Sequence, residues 1–213
     1  MRIELHNLLP EPMVEAMDWD SEVWRRSLSF EAGRRYQLNA PSGNGKTSLI
    51  NSLYGLRDNY RGDILLDGRP AREIRLSEWC RLRRVGMAVV FQDLRLFPEL
   101  TAAENIEIKA SLEPAPPSPT RETMLAALGM ADRATRPVAT LSWGERQRVA
   151  LIRALSQPFA WLLLDEPFSH LDPGNIAAAC DLVEQACEVR KAGLIMTSLG
   201  YDYPLNFDFT MKL

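Results

Sequence analysis

The sequence predicts an α/β fold with an inserted, mostly helical subdomain. Three observations predict it. Short apolar runs alternate with segments of helical spacing along the chain. The run Trp161–Leu164 is wholly apolar, as strands buried on both faces of a parallel sheet are. The stretch between Gln92 and Leu141 reads as mostly helical. Residues 1–92 and 141–213 are therefore expected to form one core, with residues 93–140 as the helical subdomain inside a single domain. A length of 213 residues is enough to bury a substantial core.

Taken in order, Arg2–Leu9, Arg26–Phe30 and Tyr36–Asn39 read as short strands, with Gly33–Arg34 as punctuation. A loop of small residues precedes a helix expected over Thr47–Leu56. Asp63–Leu66 is a strand running into a tight Asp67–Gly68 turn, and Val85–Phe91 is a buried strand. Helical spacing starts at Thr101, breaks at the Pro-rich Glu113–Pro119, and resumes at Arg121–Leu128 and Glu145–Leu155. A helix over Asn175–Arg190, a strand over Gly193–Thr197 and a last strand near Asp208–Leu213 complete the alternation. No regulatory domain is expected after that strand, which would leave control to a partner.

With 28 acidic and 25 basic residues, the net charge of −3 offers no global basic field to nucleic acid. Met1–Pro12 carries charge and proline where a signal peptide needs an apolar run, and the longest apolar runs fall far short of a membrane span. Direct membrane insertion is not expected, and a cytoplasmic location is; any membrane role needs a partner. The three cysteines, Cys80, Cys180 and Cys187, lack metal-ligand spacing and read as small apolar side chains.

Two segments carry chemistry. Ala40–Thr47 reads APSGNGKT, between a strand and a helix, and matches the phosphate loop G-x-x-x-x-G-K-[ST] except at Ala40. Little side chain at Gly43 and Gly45 lets backbone N–H groups converge on phosphate oxygens, aided by the following helix N-terminus. Lys46 suits the β- and γ-phosphates, and the Thr47 hydroxyl suits magnesium. Ala40 would cost about 1–2 kcal/mol if its φ must be positive, and little otherwise. The second segment, Trp161–Pro167 (WLLLDEP), ends an apolar strand in two carboxylates. Asp165 suits holding magnesium and Glu166 suits polarising an attacking water; neighbouring strand residues point oppositely, so the two can serve different tasks.

In order, SGNGKT, FQD (Phe91–Asp93), LSWGERQR (Leu141–Arg148), LLLDEP and SHLD (Ser169–Asp172) resemble the ATP-binding subunits of ABC transporters over nearly the whole chain. The loop after Gln92 (DLRLFPELTAAENI) is most similar to the branch serving lipoprotein extraction, macrolide export and cell division. The resemblance implies an α/β P-loop NTPase core of ABC ATPase type, with an N-terminal antiparallel β region, that binds and hydrolyses ATP with Mg2+. It implies that Ala40, Pro41 and Ser42 through Ser48, with Asn44 among them, cradle the phosphates. Gln92 would reach magnesium and the attacking water. Trp19, or else Trp24, would stack on adenine. Ser142, Gly144 and Glu145 would contact ATP bound to a second ATP-binding subunit in a head-to-tail dimer, identical or not, and Asp172 would shape that interface. An integral membrane permease subunit would dock near Gln92–Asn105, against Leu96, Phe97 and Pro98.

Two further positions depart from the family pattern. Trp143 stands in the signature where Gly is common, and Leu199 stands where a His contacting the γ-phosphate is expected. Loss of one charge-assisted hydrogen bond, about 1.5–3 kcal/mol, would slow hydrolysis by about 10–150-fold. A slow ATPase centred on Glu166 is expected. The trio Ala40, Trp143 and Leu199 leaves open an ATP-switched clamp with little turnover, or the degenerate half of a heterodimer.

Overall fold

A computed structural model of the chain describes residues 1–13, 20–113 and 119–213. The elements begin with β1 (Ile3–Pro10), β2 (Ser27–Phe30), β3 (Arg35–Asn39), α1 (Lys46–Leu53), β4 (Tyr60–Leu66) and β5 (Arg69–Pro70). There follow α2 (Leu76–Arg81), β6 (Met87–Val90), α3 (Ala102–Ala110), α4 (Arg121–Ala127) and α5 (Trp143–Leu155). β7 (Trp161–Asp165), α6 (Pro173–Arg190), β8 (Gly193–Ser198) and β9 (Phe209–Lys212) complete the chain.

The strands form two sheets. The first is antiparallel, in the order β2-β1-β4-β5, and its β4–β5 hairpin turns on Asp67 and Gly68, both in the left-handed region. The second is wholly parallel, in the order β6-β7-β8-β3-β9. Alternate residues of its inner strands feed two apolar layers. Leu162, Leu164, Leu194 and Met196 join the helices α3 to α6, whereas Trp161, Leu163 and Ile195 face α1 and the antiparallel sheet. Burial on both faces is why β7 is apolar without alternation.

The helices are set by local chemistry as well as packing. Thr101, Thr120, Ser142 and Asp172 each cap a helix N-terminus by accepting a backbone N–H. At Thr101 and Ser142 a Glu three residues on returns the bond. Between residues 93 and 140 lie α3, α4 and short 3-10 turns, and the buried side chains of α3 and α4 share one apolar cluster with α5, α6 and one face of the parallel sheet.

Some boundaries differ from expectation. The helix after the phosphate loop stops at Leu53, because Gly55 turns left-handed. The strand expected from Val85 begins at Met87, after a π-helical turn over Leu82–Gly86. Helix α2, six residues long and burying only Trp79, carries no clear apolar face and was not expected. Most of the Pro-rich loop, residues 114–118, lies outside the described residues. Among the described residues, no helix is long and apolar enough to cross a membrane.

Candidate functional site

The C-terminal edge of the parallel sheet is where β3, β6, β7 and β8 deliver their loops, and open α/β sheets gather ligands there. From β3 the chain enters the loop 40–45. Gly43 and Gly45 both sit at φ +84°, a left-handed conformation that costs an ordinary residue about 1–2 kcal/mol. A side chain on Gly43 would meet open space, so its requirement is backbone shape. Gly45 has a second constraint. A Cβ there would lie 2.5 Å from the Met13 sulfur and 2.9 Å from the Trp24 ring. Ala40 is buried and is not among the residues of positive φ, so its methyl carries no backbone strain.

Lys46 opens α1 and is 4% exposed. Its ammonium donates to the carbonyls of Ala40 (2.6 Å) and Pro41 (2.8 Å) and lies 3.3 Å from Glu166 Oε1. Three acceptors for three N–H groups explain how a cation is kept at this depth. Thr47 Oγ1 donates to Gln92 Oε1 at 3.0 Å, joining the phosphate loop to the end of β6. Ser48 Oγ accepts from Arg57 at 2.7 Å.

The two carboxylates differ in environment. Asp165 ends β7 and is almost fully buried; its Oδ1 accepts from Thr197 Oγ1 at 2.8 Å, across the β7–β8 pair. Its Oδ2 is buried and has no hydrogen-bond partner among the described residues. Burial pushes the Asp165 carboxyl up, opposed by the nearby Thr47 and Thr197 hydroxyls. Glu166 lies beyond the strand at φ +49°. The two acids therefore part company through a left-handed turn, which corrects the expectation that strand alternation separates them.

That turn is braced by a residue the motif reading passed over. Gln147, buried on α5, donates from Nε2 to the Glu166 carbonyl at 3.2 Å and accepts the His170 amide on Oε1 at 3.3 Å. The Glu166 amide donates to the Thr197 carbonyl at 3.3 Å. The only sequence signal for Gln147 was its place within LSWGERQR.

Ser142, Gly144 and Glu145 sit at the N-terminus of α5. Ser142 and Glu145 bond one another, and Glu145 pairs with Arg133 at 3.1 Å. They share no hydrogen bond or ion pair with the phosphate loop among the described residues. Gly144 has a reason of its own: a Cβ would stand 2.9 Å from the His170 carbonyl. Trp143 is exposed and meets the His170 ring edge-on at 5.6 Å. Leu199 follows β8, exposed in a turn where Ser198 Oγ accepts the amides of Gly200 and Tyr201. Trp19 lies outside the described residues. Trp24 is buried, with Nε1 donating to the Asn44 carbonyl at 3.4 Å, so its indole packs on the loop.

The donors Asp165 Oδ2, Thr47 Oγ1 and Gln92 Oε1 are all hard oxygens, and an unpartnered buried carboxylate oxygen is what a divalent cation such as magnesium would satisfy. The site fits that metal.

Comparison with known proteins agrees with this geometry. The family described as "ABC transporter" matches residues 24–169. The lipoprotein-releasing system ATP-binding protein LolD of Paramagnetospirillum magneticum is 37% identical over 91% of this chain and 88% of its own. The macrolide export ATP-binding/permease protein MacB of Burkholderia pseudomallei is 38% identical over 68% of this chain, which spans only 23% of MacB. A dimeric structure of MJ0796, a bacterial ABC transporter cassette, superposes with a TM-score of 0.74 at 26% identity, covering 92% of this chain and 87% of that one. The same cassette in a dimeric post-hydrolysis state bound to ADP and Pi gives the same score at 24% identity, which speaks for the fold. With a P-loop strand edge and a family match across most of its length, the chain belongs to the ABC transporter family, among the ATP-binding subunits of its lipoprotein-release and macrolide-export branch.

Proposed function

We propose that the chain is the ATP-hydrolysing subunit that powers a membrane transporter, working as a nucleotide-sandwich dimer with slow turnover. The observation that carries the reading is the meeting of Lys46, Thr47, Gln92, Asp165 and Glu166 at one sheet edge. Lys46, the loop 40–45 and Ser48 bind the phosphates. Thr47, Gln92 and Asp165 hold Mg2+, which when bound offsets the negative charge of the phosphate oxygens. Glu166 takes the proton of the attacking water, and Gln147 keeps its backbone in place. Ser142, Gly144 and Glu145 face the nucleotide of the second ATP-binding subunit, and Asp172 lies at the same interface.

Residues 93–140 act as the helical subdomain that passes motion from Gln92 to an integral membrane permease subunit. The surface for that partner includes Phe97, half exposed, and the exposed Pro98, with Leu96 packed inward against the core. In this reading the chain works in the cytoplasm, at the inner face of the membrane. Turnover is slow because Leu199 offers no hydrogen bond where the family has His. The relatives named for lipoprotein release and macrolide export point to an extraction or export task. A second reading, an ATP-switched clamp or the degenerate half of a heterodimer, is favoured by the outward Leu199 and Trp143.

The test is magnesium-dependent phosphate release from ATP by the chain and by Glu166→Gln. A base of this kind is worth about 10²–10⁴-fold, so activity in the first and a loss of that size in the second is expected. ATP binding without turnover in either protein, even beside the permease, establishes the clamp.

A further inference from the structure

The chain has two histidines, and neither stands at the end of β8, the place that Leu199 holds. His6 lies on β1, in the antiparallel sheet. His170 lies between β7 and α6 and is exposed. It is held at backbone and ring. Its amide donates to Gln147 Oε1, on the same side chain that donates to the Glu166 carbonyl. Its ring meets Trp143 edge-on at 5.6 Å, and its Nδ1 shares a hydrogen bond of 2.9 Å with Ser169 Oγ. Nε2 has no hydrogen bond or ion pair among the described residues.

When the Ser169 hydroxyl donates to Nδ1, the neutral ring carries its proton on Nε2, and an anion in front of the ring selects that tautomer. The ring belongs to the outward face of the molecule. Gly144 comes so close that a Cβ there would stand 2.9 Å from the His170 carbonyl, and Trp143 flanks the imidazole. Among the described residues, the His170 ring shares no hydrogen bond or ion pair with Lys46, Thr47, Gln92, Asp165 or Glu166. Nothing of that kind ties it to the phosphate site of its own chain.

Resting on the dimer reading above, in which Ser142, Gly144 and Glu145 face the nucleotide of the second subunit, we propose that His170 of one copy donates from Nε2 to the γ-phosphate held by the other. It supplies there the imidazole contact that Leu199 lacks. The bond is charge-assisted, because its acceptor is an ionised phosphate oxygen. Trp143 gains a task as the wall that orients the ring. A donor brought by a second chain exists only in the closed dimer, so it sustains turnover at less than the rate of a donor fixed in the same chain. One side chain then serves two sites: Gln147 braces the Glu166 of its own site and the His170 that reaches the other.

The test uses the chain assembled with its own permease in detergent. His170→Phe keeps a ring beside Trp143 and removes the N–H. It should slow phosphate release by about 10–150-fold at an unchanged melting temperature. In the Leu199→His background the same change should cost less than about twofold, because β8 then supplies the donor. Assembly from an equal mixture of His170→Phe and Glu166→Gln tests the crossing between copies. A mixed dimer unites an intact Glu166 with an intact His170 only if the imidazole acts on the other copy's nucleotide, so the mixture should turn over faster than either variant alone. A readout without turnover comes from Glu166→Gln held with ATP and Mg2+. Diethyl pyrocarbonate modifies accessible imidazoles, and mass spectrometry should find modification of His170 lost relative to the nucleotide-free protein. His170→Phe with the parent rate, a mixture with no gain, or undiminished modification of His170 overturns the proposal and leaves the ATPase reading standing. ATP binding without turnover in the parent, even beside the permease, defeats both.

Discussion

Around Lys46 and Asp165 the polar side chains are buried and answer one another, whereas at Trp143 and Leu199 apolar side chains turn outward. The first region is braced from four strands: Lys46 on the loop carbonyls and Glu166, Thr47 on Gln92, Asp165 on Thr197. The second is fixed from within, by the Ser142–Glu145 capping box and by the close approach of Gly144 to His170, but Trp143 and Leu199 on its outer face are exposed. One half of the chemistry is therefore preorganised in a single subunit. The other half is a surface whose role depends on what meets it.

Several measurements would break or sharpen that contrast. The largest expected effect is at the outward edge. Leu199→His should raise turnover by about 10–150-fold if an absent charge-assisted hydrogen bond is what slows it. An unchanged kcat, with the fold intact, would remove Leu199 from the account. On the braced side, Gln147→Leu strands the Glu166 carbonyl and the His170 amide, both now paired to it. We expect a loss of about 1–3 kcal/mol in urea unfolding, together with a lower kcat at unchanged ATP affinity. A stability loss with kcat preserved would make Gln147 a packing residue and nothing more. Gly144→Ala puts a methyl against the His170 carbonyl, at a cost of about 1–3 kcal/mol visible in the isolated chain. Should that variant be as stable as the parent, the glycine serves only the dimer face. The smallest effect is at Ala40, where Gly should destabilise by about 0.4–1 kcal/mol by loosening the unfolded chain. A gain in stability would mean that the loop strains Ala40 after all.

The same contrast governs how much of the molecule was legible in the sequence. β7 could be read because burial on both faces leaves four apolar residues in a row, and the phosphate loop because Gly43 and Gly45 meet a backbone demand local to the loop. Gln147 was hidden in a charged run, since its burial depends on a turn 19 residues further on. The Asp165–Thr197 bond spans 32 residues and follows from strand order, which periodicity does not reveal. Helix α2 escaped notice because its short, mostly exposed surface gives no apolar stripe. The left-handed turn at Glu166 was invisible for a simpler reason: glutamate does not advertise such a backbone.

That last feature sets stability and activity against each other at one position. A left-handed glutamate costs the fold about 1–2 kcal/mol that glycine would avoid, and glycine would abolish the proton acceptor proposed above. On that proposal, engineering this cassette for heat resistance alone runs downhill toward an inert protein at residue 166. A useful thermostable version has to gain its margin elsewhere.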